Sequence, residues 1–158
     1  MDMKMLRSLL RSLLPNSLRP YRVLSGPLRG VRVYTNLSTD TQVIRGMYER
    51  TVLDWIVKNV NSGDVCYDIG AAEGYVSTCL AIACGTTGSV FSFEPTDRGL
   101  LINTLNQLNK RIEMAQIVHV NDFVSTTQSH TSIDSFATEH GHRLSMLKID
   151  VDGGGLLP

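Results

Sequence analysis

Four carboxylates stand where short apolar runs give out: Asp68 after Val65–Tyr67, Glu94 after Val90–Phe93, Asp122 (behind Asn121) after Ile117–Val120, and Asp150 after Met146–Ile149. They succeed one another at 26, 28 and 28 residues. Carboxylates accept hydrogen bonds and take up protons, so a row of them suits a cationic or hydroxyl-bearing ligand. The period matches one strand, one crossover helix and two short loops, the unit by which a parallel sheet grows. Ligands of such sheets bind just beyond the carboxyl ends of the strands. The expected fold class is therefore α/β, a parallel sheet with flanking helices, with four acids along one crevice.

The first junction carries the most specific signal. Asp68-Ile69-Gly70-Ala71-Ala72-Glu73-Gly74 joins a strand to a predicted helix from Tyr75 to Ala83, and a glycine-rich turn there lets backbone approach a ligand closely. A dinucleotide fingerprint needs G-x-G-x-x-G, with a pyrophosphate on the helix N-terminus. Ala72 replaces the middle glycine, and Glu73 places an acid where a diphosphate would be repelled. Nicotinamide and flavin cofactors are disfavoured on that ground. The D-x-G-x-x-x-G form suits a cofactor bearing an ammonium and a sulfonium but no phosphate, which is S-adenosylmethionine; Asp68, Gly70, Ala71, Ala72, Glu73 and Gly74 are its expected binding turn.

Glu94 ends the next strand, Ser89–Phe93, twenty residues after Gly74, where a doubly wound fold keeps an acid for ribose hydroxyls. Three strings, Val65-Cys66-Tyr67-Asp68-Ile69-Gly70-Ala71, Gly88-Ser89-Val90-Phe91-Ser92-Phe93-Glu94-Pro95 and Leu147-Lys148-Ile149-Asp150-Val151-Asp152-Gly153, occur in that order over roughly residues 40 to 155. Together they resemble the FkbM-type family of S-adenosylmethionine-dependent methyltransferases. The resemblance implies a Rossmann-like class I methyltransferase fold with strand order 3-2-1-4-5-7-6. It implies that the first two motifs hold the cofactor, that the third lies beside the transferred methyl, and that hydroxyls of sugars, lipids or polyketides are O-methylated. The Gly46-Met47-Tyr48-Glu49 step also resembles a G-x-Y-E element of that family, bringing Tyr48 and Glu49 toward the pocket.

Departures from the family accompany the matches. The third motif ordinarily reads K-I-D-V-E-G-x-E, and here Asp152 and Gly155 replace the two glutamates. Only Phe123 to His130 separates the third strand from the Thr131–Phe136 segment, which implies a shortened substrate-facing region. The sequence ends at Pro158, so the expected sheet is incomplete after its fourth strand, and Leu147–Ile149 forms an apolar edge expected to pair with another chain. A non-catalytic relative that retains cofactor binding, or serves as an interaction module, is the alternative to a working methyltransferase.

Composition fits one globular domain: 158 residues, 42% of them apolar, with no net formal charge. The charge is nonetheless divided, since residues 1–50 hold nine Lys or Arg against three acids, and residues 51–158 hold six against twelve. Arg7, Arg11, Arg19, Arg22, Arg29 and Arg32 are scattered and lack interleaved aromatics beyond Tyr21 and Tyr34, so nucleic acid is not expected as a partner. Cys66, Cys79 and Cys84 show no metal or redox spacing and read as small buried side chains of a reducing, cytoplasmic compartment. The four histidines lack zinc spacing and read as surface or loop residues.

Residues 1–38 read as an amphipathic helix, with Leu6, Leu9, Leu10, Leu13 and Leu14 on one face and Lys4, Arg7 and Arg11 on the other, followed by a loop-rich cover segment with a short strand at Val31–Tyr34. The helix packs on the domain, self-associates or makes peripheral membrane contact; no segment is long and apolar enough to span a membrane. Residues 39–158 form the cofactor-binding domain. It opens on one helix, capped from Ser38, Thr39 or Asp40 and striped by Val43, Met47, Val52, Ile56 and Val60.

Chemically, the expected reaction is an in-line displacement by an acceptor hydroxyl. Asp68 organises the glycine turn and the cofactor's amino group, Glu94 receives the ribose, and Asn121 with Asp122 meets the adenine or bonds the local backbone of its turn. Asp150 orients the acceptor, takes its proton, or accepts backbone amides of a Gly153-Gly154-Gly155 turn. The acceptor is a small molecule, glycan or lipid, and no metal is expected.

Overall fold

The computed structural model describes residues 14–122, 124 and 131–151. The helix expected from Leu6, most of the Phe123–His130 stretch, Asp152 and the Gly153-Gly154-Gly155 turn lie outside these residues. A hairpin of β1 (Arg19–Arg22) and β2 (Arg32–Thr35) comes first, then helices α1 (Thr41–Ile44) and α2 (Arg50–Asn59). Alternation takes over from there: β3 (Val65–Ile69), α3 (Tyr75–Cys84), β4 (Ser89–Phe93), a 3-10 turn at Asp97–Leu101, α4 (Ile102–Leu108), β5 (Gln116–Val120), α5 (Ile133–Glu139) and β6 (Met146–Ile149).

Strands β3 to β6 form one parallel sheet in the order β5-β4-β3-β6. Counting these four strands as they occur along the chain, that is 3-2-1-4, the arrangement implied by the family resemblance. The fold is a Rossmann-like α/β sheet with flanking helices. In a parallel sheet covered on both faces, strands read as continuous apolar runs, which is why each run shows so little alternation.

Register assigns the two faces. Cys66, Val90, Ile117 and Met146 form one row, and it lies against the core of α2, α3 and α4, where Leu53, Ile56, Leu80, Ile102 and Leu105 are fully buried. Burial of each such Leu or Ile contributes about 1.5–3 kcal/mol. On the opposite face Tyr67, Phe91 and Phe93 meet Phe136 of α5, with ring centroids 5.1–5.6 Å apart. Leu147 and Ile149 of β6 continue this face but stay exposed.

The single helix expected over residues 40–60 is two. Asp40 does cap α1, accepting from the Gln42 amide at 3.1 Å. Gly46, with φ of 64°, then turns the chain, and a side chain there would overlap the Ser25 carbonyl. Only glycine fits so close an approach, and the helix restarts at Arg50 after Glu49, itself left-handed at φ of 49°. Met47 is consequently exposed instead of joining the apolar stripe.

Candidate functional site

One row of the sheet is polar from edge to edge. His119 of β5, Ser92 of β4, Asp68 of β3 and Lys148 of β6 are in-register neighbours. The next residue of each strand ends it, which sets this row at the carboxyl end of the sheet, the end at which such folds bind ligands. Ser77, in the first turns of α3, closes the network from above: Ser92 Oγ donates to Ser77 Oγ at 2.8 Å, and Ser77 Oγ donates to Asp68 Oδ2 at 2.6 Å.

Asp68 is completely buried. Lys148 Nζ stands 3.1 Å from its Oδ1 as an ion pair, yet no donor meets that oxygen in hydrogen-bonding geometry. Burial pushes the Asp68 carboxyl up, against the pull of the Lys148 ammonium and the Ser77 hydroxyl. Lys148 also lies 3.5 Å from the Gly70 carbonyl and 3.7 Å from Asp150 Oδ2. The ammonium thus ties the first and fourth junctions together. Sequence reasoning misses Lys148, although it sits in the third motif; the signal available is its place two residues before Asp150, on a strand that pairs with one ending in an acid.

The glycine turn is fastened to β4. The Gly70 and Ala71 amides both donate to the Phe93 carbonyl, at 3.0 and 3.1 Å, and the Ala72 amide donates to Glu94 Oε2 at 2.9 Å. The Gly74 amide donates to the Ala71 carbonyl at 2.8 Å. Gly70, Ala72 and Gly74 all have positive φ. A side chain on Gly70 would overlap the Asp150 carbonyl, so the glycine lets the ends of β3 and β6 touch. Ala72 adopts the left-handed region with a Cβ, a conformation that costs L-residues about 1–2 kcal/mol.

Glu94 is almost fully buried and works from both oxygens. Oε1 accepts from the Thr96 hydroxyl at 2.6 Å and the Thr96 amide at 3.1 Å, while Oε2 takes the Ala72 amide. Burial alone would raise its pKa, but the Thr96 hydroxyl and amide, the Ala72 amide and nearby Arg98 outweigh it and hold the carboxyl below its ordinary range. With about two lone pairs per oxygen, one position on Oε2 is left for a further donor. His119 supports the same residue, its Nε2 lying 2.8 Å from the Glu94 carbonyl oxygen. A carbonyl only accepts, so Nε2 carries the proton. His119 is therefore a strand residue with a partner, not the surface or loop residue expected.

Glu73 does not confront a ligand with a bare charge. Arg98 holds it in a fork, Nε to Oε1 at 2.8 Å and Nη2 to Oε2 at 2.7 Å. Asp122 accepts from the Thr131 amide at 3.2 Å and from the Thr131 hydroxyl, linking β5 to the start of α5, and Asn121 is exposed. Asp150 is two-thirds exposed at its side chain. Tyr48 rests edge-on against Tyr75, the first residue of α3, at 5.4 Å, and burial pushes the Tyr75 phenol up to about 12. Among the described residues no group of three His, Cys, Asp or Glu is arranged for a metal.

No protein-family model matches this chain. No curated protein matches it either. Solved structures do. The chain is similar to a Clostridium thermocellum protein described as an rRNA-methylase, at 25% identity over 46% of this chain and 40% of that one, with a TM-score of 0.39. It is similar to the M. jannaschii tRNA m1G37 methyltransferase, at 17% identity over 67% and 31%, with a TM-score of 0.43. A Pyrococcus horikoshii protein described as a transferase is similar at 12% identity over 66% and 37%, with a TM-score of 0.40. The chain spans between 31% and 40% of the length of these three.

An rRNA methylase and a tRNA methyltransferase among the similar structures overturn the expectation that nucleic acid is excluded as a partner. That exclusion rests on arginines scattered along the sequence. Strand pairing gathers some of them, as Arg22 and Arg32 show by facing each other across the hairpin.

Proposed function

We propose that the crevice binds S-adenosylmethionine and that the chain is a methyltransferase of the FkbM type, acting on a hydroxyl of a sugar, lipid or polyketide-like acceptor. The observation that carries this reading is the fate of the glycine-turn amides. A diphosphate site needs several backbone N–H groups aimed outward at the ligand. Here those of Gly70, Ala71, Ala72 and Gly74 are all engaged within the protein, by the Phe93 carbonyl, the Glu94 carboxylate and the Ala71 carbonyl. The turn is shaped for close approach without being an anion nest. This replaces the repulsion assigned to Glu73, whose charge Arg98 takes up.

The residues present fit an aminoacyl nucleoside. Asp68 Oδ1 is buried without a directed donor, and Glu94 keeps one free acceptor position beside the turn. Glu94 would receive a ribose hydroxyl. Asp68 and Lys148, with Asp150 beyond them, would hold the charged amino-acid end. When bound, S-adenosylmethionine supplies an electrophilic methyl on a sulfonium. The protein's own contribution would then be to hold two reactants in line and accept the acceptor's proton, a role open to Asp150, the exposed carboxylate just past β6.

Calorimetric titration of the chain with S-adenosylhomocysteine and, separately, with NAD tests the cofactor. Saturable heat from the first and none from the second is expected, and binding of NAD alone overturns the reading. A radiolabelled methyl-transfer assay against hydroxylated acceptors then tests the reaction.

A further inference from the structure

Arg22 of β1 and Arg32 of β2 stand directly opposite each other in the antiparallel pair, and both are exposed. Side chains so placed have Cβ atoms about 5 Å apart, and like charges there oppose the pairing. No carboxylate relieves them: among the described residues neither guanidinium enters an ion pair, and Arg22 Nε donates instead to the Gly30 carbonyl at 3.1 Å.

A buried asparagine then adds to the same corner. Asn109, just past the end of α4, accepts from the Arg32 amide and donates to the Arg32 carbonyl, both at 2.8 Å. Its side chain clamps β2 to the helix, and Lys110 and Arg111, both exposed, come next in the chain. Four cations from three segments are thereby fixed on a rigid frame. Glu113 is the one acid between Leu105 and Ala115. Because α4 runs back from the carboxyl ends of the strands, the corner belongs to the opposite end of the sheet from the crevice.

We propose that this corner is a docking surface for the phosphodiester backbone of a nucleic acid. Guanidinium groups bind phosphate oxygens bidentately, and an anion between Arg22 and Arg32 turns their mutual repulsion into attraction. A membrane surface asks for something else, namely apolar side chains inserting beside the cations. From Gln107 to Glu113 every exposed residue is polar or charged. Leu24, the exposed leucine past β1, belongs to the segment that pairs with Ile44. The surface stands independently of which cofactor the crevice takes.

Fluorescence anisotropy of a labelled single-stranded RNA with the full chain, over a series of salt concentrations, tests the proposal. R22Q/R32Q is expected to weaken binding about ten-fold and to reduce the slope of log affinity against log salt by about 1.4, since each phosphate contact on a single strand accounts for about 0.7. K110Q/R111Q, which leaves the hairpin intact, should behave alike. K58Q/R143Q carries the same change in net charge on α2 and ahead of β6 and should leave both quantities unaltered. Equal losses in all three variants, no RNA binding at all, or binding confined to phosphatidylserine vesicles overturns the proposal.

Discussion

At the ends of β3 and β4 the carboxylates are buried among the chain's own donors, whereas at the ends of β5 and β6 Asp122 is half-buried and Asp150 exposed. Asp68 and Glu94 are buried and held by Ser77, Lys148, Thr96 and the Ala72 amide. Asp122 is engaged by Thr131, and Asp150 reaches outward with Lys148 as its neighbour. The same sequence pattern, an apolar run ending in an acid, therefore yields two buried acids and two more exposed ones. Beyond β3 and β4 a glycine turn and a Pro-Thr turn fold back on the strand ends, and such locked groups favour one ligand geometry over others.

Lys148 is where the division breaks most severely, because its ammonium reaches both the buried Asp68 and the exposed Asp150. Lys148→Met leaves Asp68 buried without a counter-ion, and should lower unfolding free energy by about 3–5 kcal/mol in urea titration. Adding Asp68→Asn should recover most of that loss, since the pair is removed together. No recovery in the double variant would mean that Lys148 stabilises through something other than Asp68.

Gly70→Ala comes next. A Cβ driven into the Asp150 carbonyl, on a residue with φ of 77°, forces the β3 and β6 ends apart. The expected cost is about 3 kcal/mol in thermal or chemical unfolding, from left-handed strain plus overpacking.

On the ligand side, Glu94→Ala should weaken S-adenosylhomocysteine binding by about 1.5–3 kcal/mol, the range for charge-assisted hydrogen bonds. Asp134→Ala, in the first turn of α5 and away from the strand ends, should leave the dissociation constant within error. Equal effects would move the pocket elsewhere. The Glu94 carboxyl is also held below its unfolded value of about 4.3, so its contribution to stability is complete above that pH and is lost as pH falls through the lower folded value. Glu94→Gln should flatten the acid limb of the stability profile over that interval alone.

Ala72→Gly is the smallest test and runs the other way. Glycine accepts φ of 49° without strain, so the turn should be stabilised by up to about 1 kcal/mol, offset in part by the greater freedom of the unfolded chain.

Strand spacing and the terminal acids make the parallel sheet legible, because period and apolar run are local properties. Asp68, Gly70 and Glu94 are legible for the same reason, each being fixed by its own strand and turn. Lys148, Arg98 and His119 are not, since their meaning comes from partners 80, 25 and 25 residues away. The break at Gly46 is hidden as well. Its stripe is helical, and only the Ser25 carbonyl, supplied by the cover segment, requires the turn. The arginines mislead for a related reason, as ladder register and not sequence proximity sets Arg22 beside Arg32.

The β5-β4-β3-β6 order has a further consequence, for the succession of events by which the sheet assembles. Strands β3 and β4 each pair with the next strand of the chain through one helical crossover, but β6 must return past both β5 and β4 to reach β3, as the Val65 to Ser145 contact across 80 residues records. Closing a loop of that length comes late, and long-range parallel pairing is slow. Amide exchange should therefore be fastest along β6 and slowest along β3 and β4, so that the strand carrying Lys148 and Asp150 opens by itself while the turn holding Glu94 stays closed.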